Sequence, residues 1–349
     1  MTAEHRTPAP TPAIAPPSPS GTAPERMRAV TARRYGPPEV LRVETLPVPE
    51  PRAGEALVRV EAVAVSRAEA HMRAADPAVA RLAAGLRRPR QPVGGSELAG
   101  VVVALGPGVA GLRPGDRVVG ATGATMGGAA EYARVPAGGV VRIPDDLSAP
   151  DAVALAEGGL TALPFLRDAG RVRAGHRVCV NGASGAVGSA GVQLAAAAGA
   201  HVTAVCSARN AGLARELGAD EVVDYAVEDV AARREAFDVF FDAVGTTSFR
   251  RVRRALRPQG TYLGTAPTAA LAWHTLAGRV PGRRRRARIA FTGLRAPERK
   301  AADLAELLDL AARGRLRPVL DRTFRFDEAP AAHAYVETGR KRGTVVLVP

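Results

Sequence analysis

Gly182, Gly185 and Gly188 stand at intervals of three within an otherwise apolar stretch, Arg177 to Asn210. Glycine has no Cβ, so such a run lets the backbone turn tightly and lets an anion approach the N–H groups that open a helix. Just upstream, Val178, Cys179 and Val180 make the short apolar run of a strand buried on both faces. Downstream, Val187, Gly191, Leu194 and Ala198 recur at helical spacing and are small or apolar, which suits a helix lying close on a sheet. His201–Cys206 reads as a second apolar strand. Strand, glycine-rich turn, helix and strand in this order form a dinucleotide-binding unit, with the pyrophosphate at the helix N-terminus. Its candidate contacts are Gly182, Ser184, Gly185, Ala186, Val187 and Gly188. The glycine pattern is G-x-x-G-x-x-G rather than the commoner G-x-G-x-x-G, so its flanking elements carry the assignment.

The end of the second strand distinguishes two cofactors. An NAD site places Asp or Glu there, about 20 residues past the glycines, to hold the ribose 2′-hydroxyl. This chain has Cys206-Ser207-Ala208-Arg209-Asn210 and no acid. A hydroxyl and a guanidinium suit a 2′-phosphate, so Ser207, Arg209 and Asn210 point to NADPH over NADH. Ligands in open α/β sheets sit beyond the carboxyl ends of strands. Val244-Gly245 and Gly264-Thr265, which end the next two strands, are therefore expected to border the cofactor.

The elements that must position these residues differ along the chain. The 349 residues suffice for two domains. Residues 1–26, rich in Pro, Ala, Thr and Ser, read as a disordered extension without the apolar core of a secretory signal, and Met27 is a candidate start of the protein. From 27 to 150 short β-segments alternate with Pro-Gly turns, as at Glu55–Val65, Leu98–Leu105, Arg117–Gly120 and Tyr132–Val135. Strands and helices alternate over 151–293. A helix at Glu298–Arg313 and strands near Thr323 and Thr344 return the chain to β character over 294–349. The simplest account is a β-barrel domain with an α/β domain inserted in it.

The formal net charge is +14, carried almost wholly by Arg, with Lys only at 300 and 341. The densest run, Arg283–Arg286 with Arg279 and Arg288 nearby, has no interleaved aromatics to stack on bases, which favours a solvated loop over a nucleic-acid patch. No stretch is long and apolar enough to cross a bilayer. Cys179 and Cys206 fall on buried strands and offer neither a metal site of thiolates nor a disulfide framework, which fits a reducing cytoplasm.

Further landmarks follow in order: Tyr35-Gly36-Pro37-Pro38-Glu39-Val40-Leu41, Gly95-Ser96-Glu97-Leu98-Ala99-Gly100-Val101-Val102 and Gly115-Asp116-Arg117-Val118. Then come the glycine turn, Leu217-Gly218-Ala219-Asp220 to Asp224-Tyr225, and Phe241-Asp242-Ala243-Val244-Gly245. Nearly the whole chain after Met27 thereby resembles the medium-chain dehydrogenase/reductase superfamily, in its zinc-independent quinone-oxidoreductase branch. The resemblance implies a GroES-like barrel, an inserted Rossmann domain, a substrate cleft between them and a homodimer paired through its Rossmann sheets. Zinc members of the superfamily carry their catalytic ligands at positions that resemble Ser66, Ser96-Glu97 and Glu157. Hydroxyls are poor ligands for a cation that prefers thiolate and imidazole, and no lobe of four structural cysteines is present, so no metal is expected.

Without a Lewis acid, the implied acceptors are already electrophilic: quinones, enones and other activated alkenes such as enoyl thioesters. The segment Ser66 to Arg73 corresponds to the family's nicotinamide end of the cleft, although Ser66 and Arg67 replace the usual Asn and Pro. Ser66 is a candidate cofactor contact. His71, whose unperturbed pKa lies near neutrality, is the candidate proton donor, with water as the alternative. The resemblance also implies cofactor roles for Thr161, for Tyr225 beside the ribose phosphate, and for Arg342 in the basic turn Arg340-Lys341-Arg342-Gly343. The resulting reading is a cytoplasmic, NADPH-dependent reductase of a quinone or activated alkene, with an enoyl-thioester or enone reductase as the runner-up. A nucleotide-binding scaffold or nucleic-acid binder with little turnover is the alternative from another class.

Overall fold

The computed structural model describes residues 23–76, 78, 81–123, 126–278 and 284–349. Most of the Pro- and Ala-rich extension, and Arg279 and Arg283 of the basic run, lie outside the described residues. The first strand opens at Arg26, one residue before Met27.

The chain runs through β1 (Arg26–Thr31), β2 (Arg42–Pro47), β3 (Glu55–Ala64), α1 (Arg67–Ala74), α2 (Arg81–Ala84), β4 (Glu97–Leu105), β5 (Arg117–Ala121), β6 (Tyr132–Pro136) and β7 (Val140–Arg142). A long helix, α3 (Ala149–Leu163), leads to β8 (Arg177–Asn181), α4 (Ala186–Ala197), β9 (His201–Cys206), α5 (Ala211–Glu216), β10 (Glu221–Asp224) and β11 (Phe237–Asp242). There follow α6 (Phe249–Val252), β12 (Leu256–Gly264), α7 (Ala269–Ala277) and β13 (Arg286–Arg288). The chain closes with α8 (Pro297–Ala312), β14 (Leu320–Arg325), α9 (Ala329–Glu337) and β15 (Thr344–Val348).

Two large sheets result. One is a doubly wound sheet in the order β10-β9-β8-β11-β12-β13, parallel at every pairing. Its strand order reverses between β8 and β11, which opens a crevice beyond Asn181 and Asp242 at their carboxyl ends. The second runs β14-β15-β3-β4-β5-β7, with β6 also on β3. Its hairpin pairings are antiparallel, while β14 and β15, from the end of the chain, pair parallel with each other and join at β3. Segments on both sides of the doubly wound sheet in sequence thus build a single second sheet.

The apolar runs account for the inner strands. Val178, Cys179 and Val180 are fully buried, and each such valine side chain contributes about 1.5–3 kcal/mol relative to exposure. Helix α4 lies close on this sheet because Gly191 faces the ring of Phe241, where a Cβ would come to 2.9 Å. Ala198 departs from its expected packing role: the helix ends at Ala197 and Ala198 is an exposed C-cap.

Helix α3 joins the two sheets. Ser148 caps it by accepting from the N–H of Asp151, and Pro150 lies in the first turn, where no intrahelical donor is needed. Two mid-helix glycines cost roughly 1 kcal/mol each relative to alanine. Their positions explain them: a Cβ on Gly158 would overlap the carbonyl of Ala186, and one on Gly159 would strike Leu307. The first lets α3 meet the start of α4, and the second lets α8 pack on its other side.

Candidate active site

At the turn after β8, Gly182 has φ +79°, and a Cβ there would overlap the side chain of Val244. A Cβ on Gly188 would overlap the carbonyl of Gly182. These two glycines are sterically required. Gly185 has ordinary φ as the N-cap of α4, and a Cβ there would make only an ordinary contact, 3.7 Å from the Gly182 carbonyl oxygen. Its Cα thus offers close approach to an anion at a helix N-terminus, with Ser184, Ala186 and Val187 around it. Those features fit a dinucleotide pyrophosphate.

Asp242, fully buried at the end of β11, organises the neighbouring loops. Its Oδ1 accepts from Asn181 Nδ2 at 2.9 Å and from the Gly245 N–H at 2.9 Å. Its Oδ2 accepts from Tyr262 Oη at 3.0 Å, and its carbonyl from Thr265 Oγ1 at 3.1 Å. Burial, together with this carboxylate, pushes the Tyr262 phenol well above its usual range. One residue thereby holds Val244-Gly245 and Asn181 through its carboxylate and Thr265 through its backbone carbonyl. Sequence reasoning assigned no role to Asp242 or Asn181. The signal was present in a lone acid ending an apolar strand, where burial demands partners.

At the other end of the turn, Asn210 Nδ2 donates to Ser184 Oγ at 2.9 Å, joining the end of β9 to the glycine turn. Ser207 begins a short turn over Ala208–Asn210, and Arg209 is exposed with its Nη2 3.4 Å from the Arg340 carbonyl. Arg342 is also exposed, and its N–H donates to Asp321 Oδ2. Tyr225 follows β10 and is 65% exposed. Asp224 ends β10 opposite Cys206 in register, with its carboxylate accepting from the Ala226 N–H.

The C-terminal turn reaches the same place. The Gly343 N–H donates to the Ser184 carbonyl at 2.8 Å, and Gly343 bridges Gly185. From this turn Lys341 Nζ extends to Glu157 Oε1 at 2.9 Å, with both side chains largely buried. Glu157 precedes Gly158 on α3, and Thr161, half-buried, lies one turn further along the same helix.

On the barrel side, α1 is opened by a capping box. Ser66 Oγ accepts from the Glu69 N–H and the Ser66 N–H donates to Glu69 Oε2, both at 3.1 Å. Glu69 and Arg73 are the buried side of this helix. His71 is half-exposed, with Arg67 Nε 3.4 Å from its Nε2 and Asp76 4.0 Å away. Burial pushes the Glu69 carboxyl up to about 8, with Glu97 and Glu157 adding to the rise. The Glu97 carboxyl is also raised, by burial first and then by Glu157, while its bond from Ser96 Oγ and the Lys300 ammonium oppose the rise.

The donor set at Ser66, Ser96, Glu97 and Glu157 does not fit zinc. One hydroxyl caps a helix, the other donates to a carboxylate, and Glu157 is paired with an ammonium. Among the described residues, no group of three or more His, Cys, Asp or Glu side chains is arranged to hold a metal ion, and no helix is long and apolar enough to cross a membrane.

Two family models match the chain: an alcohol dehydrogenase GroES-like domain over residues 52–145 and a zinc-binding dehydrogenase model over 217–347. A chloroplast envelope quinone oxidoreductase homolog of Arabidopsis thaliana is 30% identical over 319 residues, covering 87% of this chain and 92% of that protein. A trans-enoyl reductase of Aspergillus terreus is 32% identical over 277 residues, covering 72% and 76%. The solved structure of a mycobacterial protein complexed with NADPH superposes with a TM-score of 0.79 at 29% identity, covering 93% of this chain and all of that one. A stretch of 274 residues is also 36% identical to a spectinabilin polyketide synthase system protein of Streptomyces orinoci, spanning 12% of that much longer protein.

Proposed function

The chain belongs to the medium-chain dehydrogenase/reductase superfamily, in its quinone-oxidoreductase-like branch, and we propose on that premise that it reduces quinones or activated alkenes with NADPH. It is an oxidoreductase with a nicotinamide-dinucleotide site. The observation that carries the reading is the cradle at Gly182, Gly185 and Gly188, set against a barrel face whose family zinc positions hold hydroxyls and an ion-paired carboxylate.

A bound nicotinamide dinucleotide supplies the hydride; the chain's own residues bind it, orient it and exclude water. The helix N-terminus at Gly185 holds the pyrophosphate. Ser207 and Arg209 grip the 2′-phosphate, with Arg342 and Tyr225 at the rim and Asn210 steadying Ser184. Val244, Gly245, Gly264 and Thr265 border the nicotinamide half, while Ser66 and Thr161 approach it from α1 and α3. The NADPH complex of the mycobacterial relative supports this choice of cofactor.

An enone or enoyl thioester as acceptor is the second reading, favoured by the likeness to the trans-enoyl reductase. A homodimer joined at the edge strand β13 and work in a reducing compartment complete the proposal; the two buried, unpaired thiols support the latter. Its test is NADPH deuterated at the transferring position, offered with a benzoquinone, an enone and an enoyl thioester in parallel. Deuterium at a former alkene carbon supports alkene reduction, and oxidation with the quinone alone supports the quinone reading. Binding of NADPH without oxidation by any acceptor supports the scaffold alternative.

A further inference from the structure

Five arginines converge on one cavity of about 630 Å³. Arg250, Arg251, Arg253 and Arg254 reach it from α6 and the turn that follows, and Arg285 reaches it from the chain just before β13. Among the described residues of the basic run Arg283–Arg286, only Arg285 lines it. Phe249 and His274 form its wall, with ring centroids 5.1 Å apart. We propose that this cavity binds a polyphosphate: the phosphate groups of a small molecule, held by several guanidinium groups at a site separate from that of the dinucleotide.

The charge balance around the cavity carries the inference. Two of its guanidinium groups have a carboxylate: Arg251 pairs with Asp229 at 3.0 Å and Arg285 with Glu235 at 2.6 Å. Arg250, Arg253 and Arg254 have none among the described residues. Uncompensated cations thus face one concave space, and an anion that enters relieves their mutual repulsion. A guanidinium presents a planar fork of donors that matches phosphate oxygens, so several around one cavity suit a ligand with several phosphates.

Placement separates this site from the cofactor crevice. The crevice lies beyond Asp242 and Gly264, the carboxyl ends of β11 and β12. At the opposite end, Leu256 opens β12 in register with Phe237. There the Leu256 carbonyl accepts from Arg285 Nε, and the Arg254 carbonyl accepts from the Glu235 N–H. Strand β11, from Phe237 to Asp242, spans about 16 Å between the two ends at roughly 3.3 Å per residue.

Size and lining set the class of ligand. The volume is that of a small-molecule site. Stacking on bases needs exposed aromatic faces, whereas Phe249 is buried and packs against Tyr262 and His274. Recognition therefore falls on phosphate oxygens, which inorganic triphosphate and a nucleoside triphosphate share.

The test is calorimetric titration of the full-length protein with inorganic triphosphate and, in parallel, with ATP, at physiological salt and with NADPH in excess. Saturable binding of one triphosphate per chain is expected. Arg253→Ala with Arg254→Ala is expected to weaken it about tenfold or more, the change that losing one charge-assisted hydrogen bond produces. Both side chains are exposed, so this variant keeps the fold, which circular dichroism checks. Arg52→Ala with Arg313→Ala removes the same charge from exposed positions outside the cavity and is expected to bind as the wild type does. Equal affinity for the two ligands supports the site with free polyphosphate as its source, and tighter ATP supports it with a nucleotide as its source. No saturable binding, an affinity that the cavity variant leaves unchanged or that both variants weaken alike, or binding of single-stranded RNA alone overturns it. The variant pair locates the site whether or not NADPH is bound or oxidised, so this inference and the reductase reading fail separately.

Discussion

The N–H of Gly343 donates to the carbonyl of Ser184 at 2.8 Å, tying the last strand of the barrel sheet to the glycine turn of the parallel sheet. This contact sets both walls of the cleft in one register. The two sheets meet there, at the turn proposed to hold the cofactor. Changes on either side of this contact are therefore expected to alter cofactor binding and stability together.

Gly182→Ala forces an alanine into the left-handed region and its Cβ into Val244. We expect a loss of roughly 2–4 kcal/mol in stability, combining backbone strain with overpacking, and weaker NADPH binding. Thermal unfolding with and without NADPH measures both.

Gly158→Ala is informative because helix propensity alone favours alanine by about 1 kcal/mol. Here the added Cβ would overlap the backbone carbonyl of Ala186. The variant is expected to be less stable by about 1–3 kcal/mol, as overpacking outweighs propensity. Urea denaturation gives the sign directly.

Ser207→Asp with Arg209→Ala replaces a hydroxyl and a guanidinium by a carboxylate at the ribose end. NADPH affinity is expected to fall by tenfold or more, on the order of the 1.5–3 kcal/mol of a charge-assisted hydrogen bond, while NADH affinity holds or rises. Equal losses for both cofactors would argue against a 2′-phosphate site. Fluorescence titration of each cofactor is sufficient.

His333 sits buried in α9 with its Nδ1 unpartnered. Burial, then the Arg73 charge, pushes its imidazole down to about 4 from 6.5. Between these values the unfolded chain binds more protons than the folded one, so stability falls as pH drops through that window. The contribution is up to roughly 3 kcal/mol, fully lost below about pH 4. His333→Gln is expected to flatten this part of the profile, which denaturation at pH 7 and pH 4.5 will show.

The strands, the glycine turn and the returning β-segment were legible because each is a local pattern. Val178–Val180 and His201–Cys206 are apolar runs, and Gly182, Gly185 and Gly188 lie within seven residues. The network at Asp242 was only half legible: the motif was visible, but its partners come from two other strands, Asn181 at the end of β8 and Tyr262 and Thr265 at the end of β12. The meeting of Glu69, Glu97, Glu157, Lys300 and Lys341 was not legible. These residues come from five segments of the chain, and no spacing reveals that α1, α3, α8 and the C-terminal turn converge. His71, four residues along α1 from Arg67, stands out in the sequence because an imidazole's unperturbed pKa suits proton transfer. The helix carries it half-exposed, and loss of turnover in His71→Ala is the outcome that a proton-donor role requires.

The most direct measurement is the oxidation of NADPH by the purified protein, followed by absorbance with a benzoquinone or an enone and repeated with excess chelator. One NADPH is expected to be consumed per acceptor reduced, at a rate the chelator leaves unchanged. NADPH bound but never oxidised by either acceptor, or turnover abolished by the chelator and restored by zinc, would contradict it.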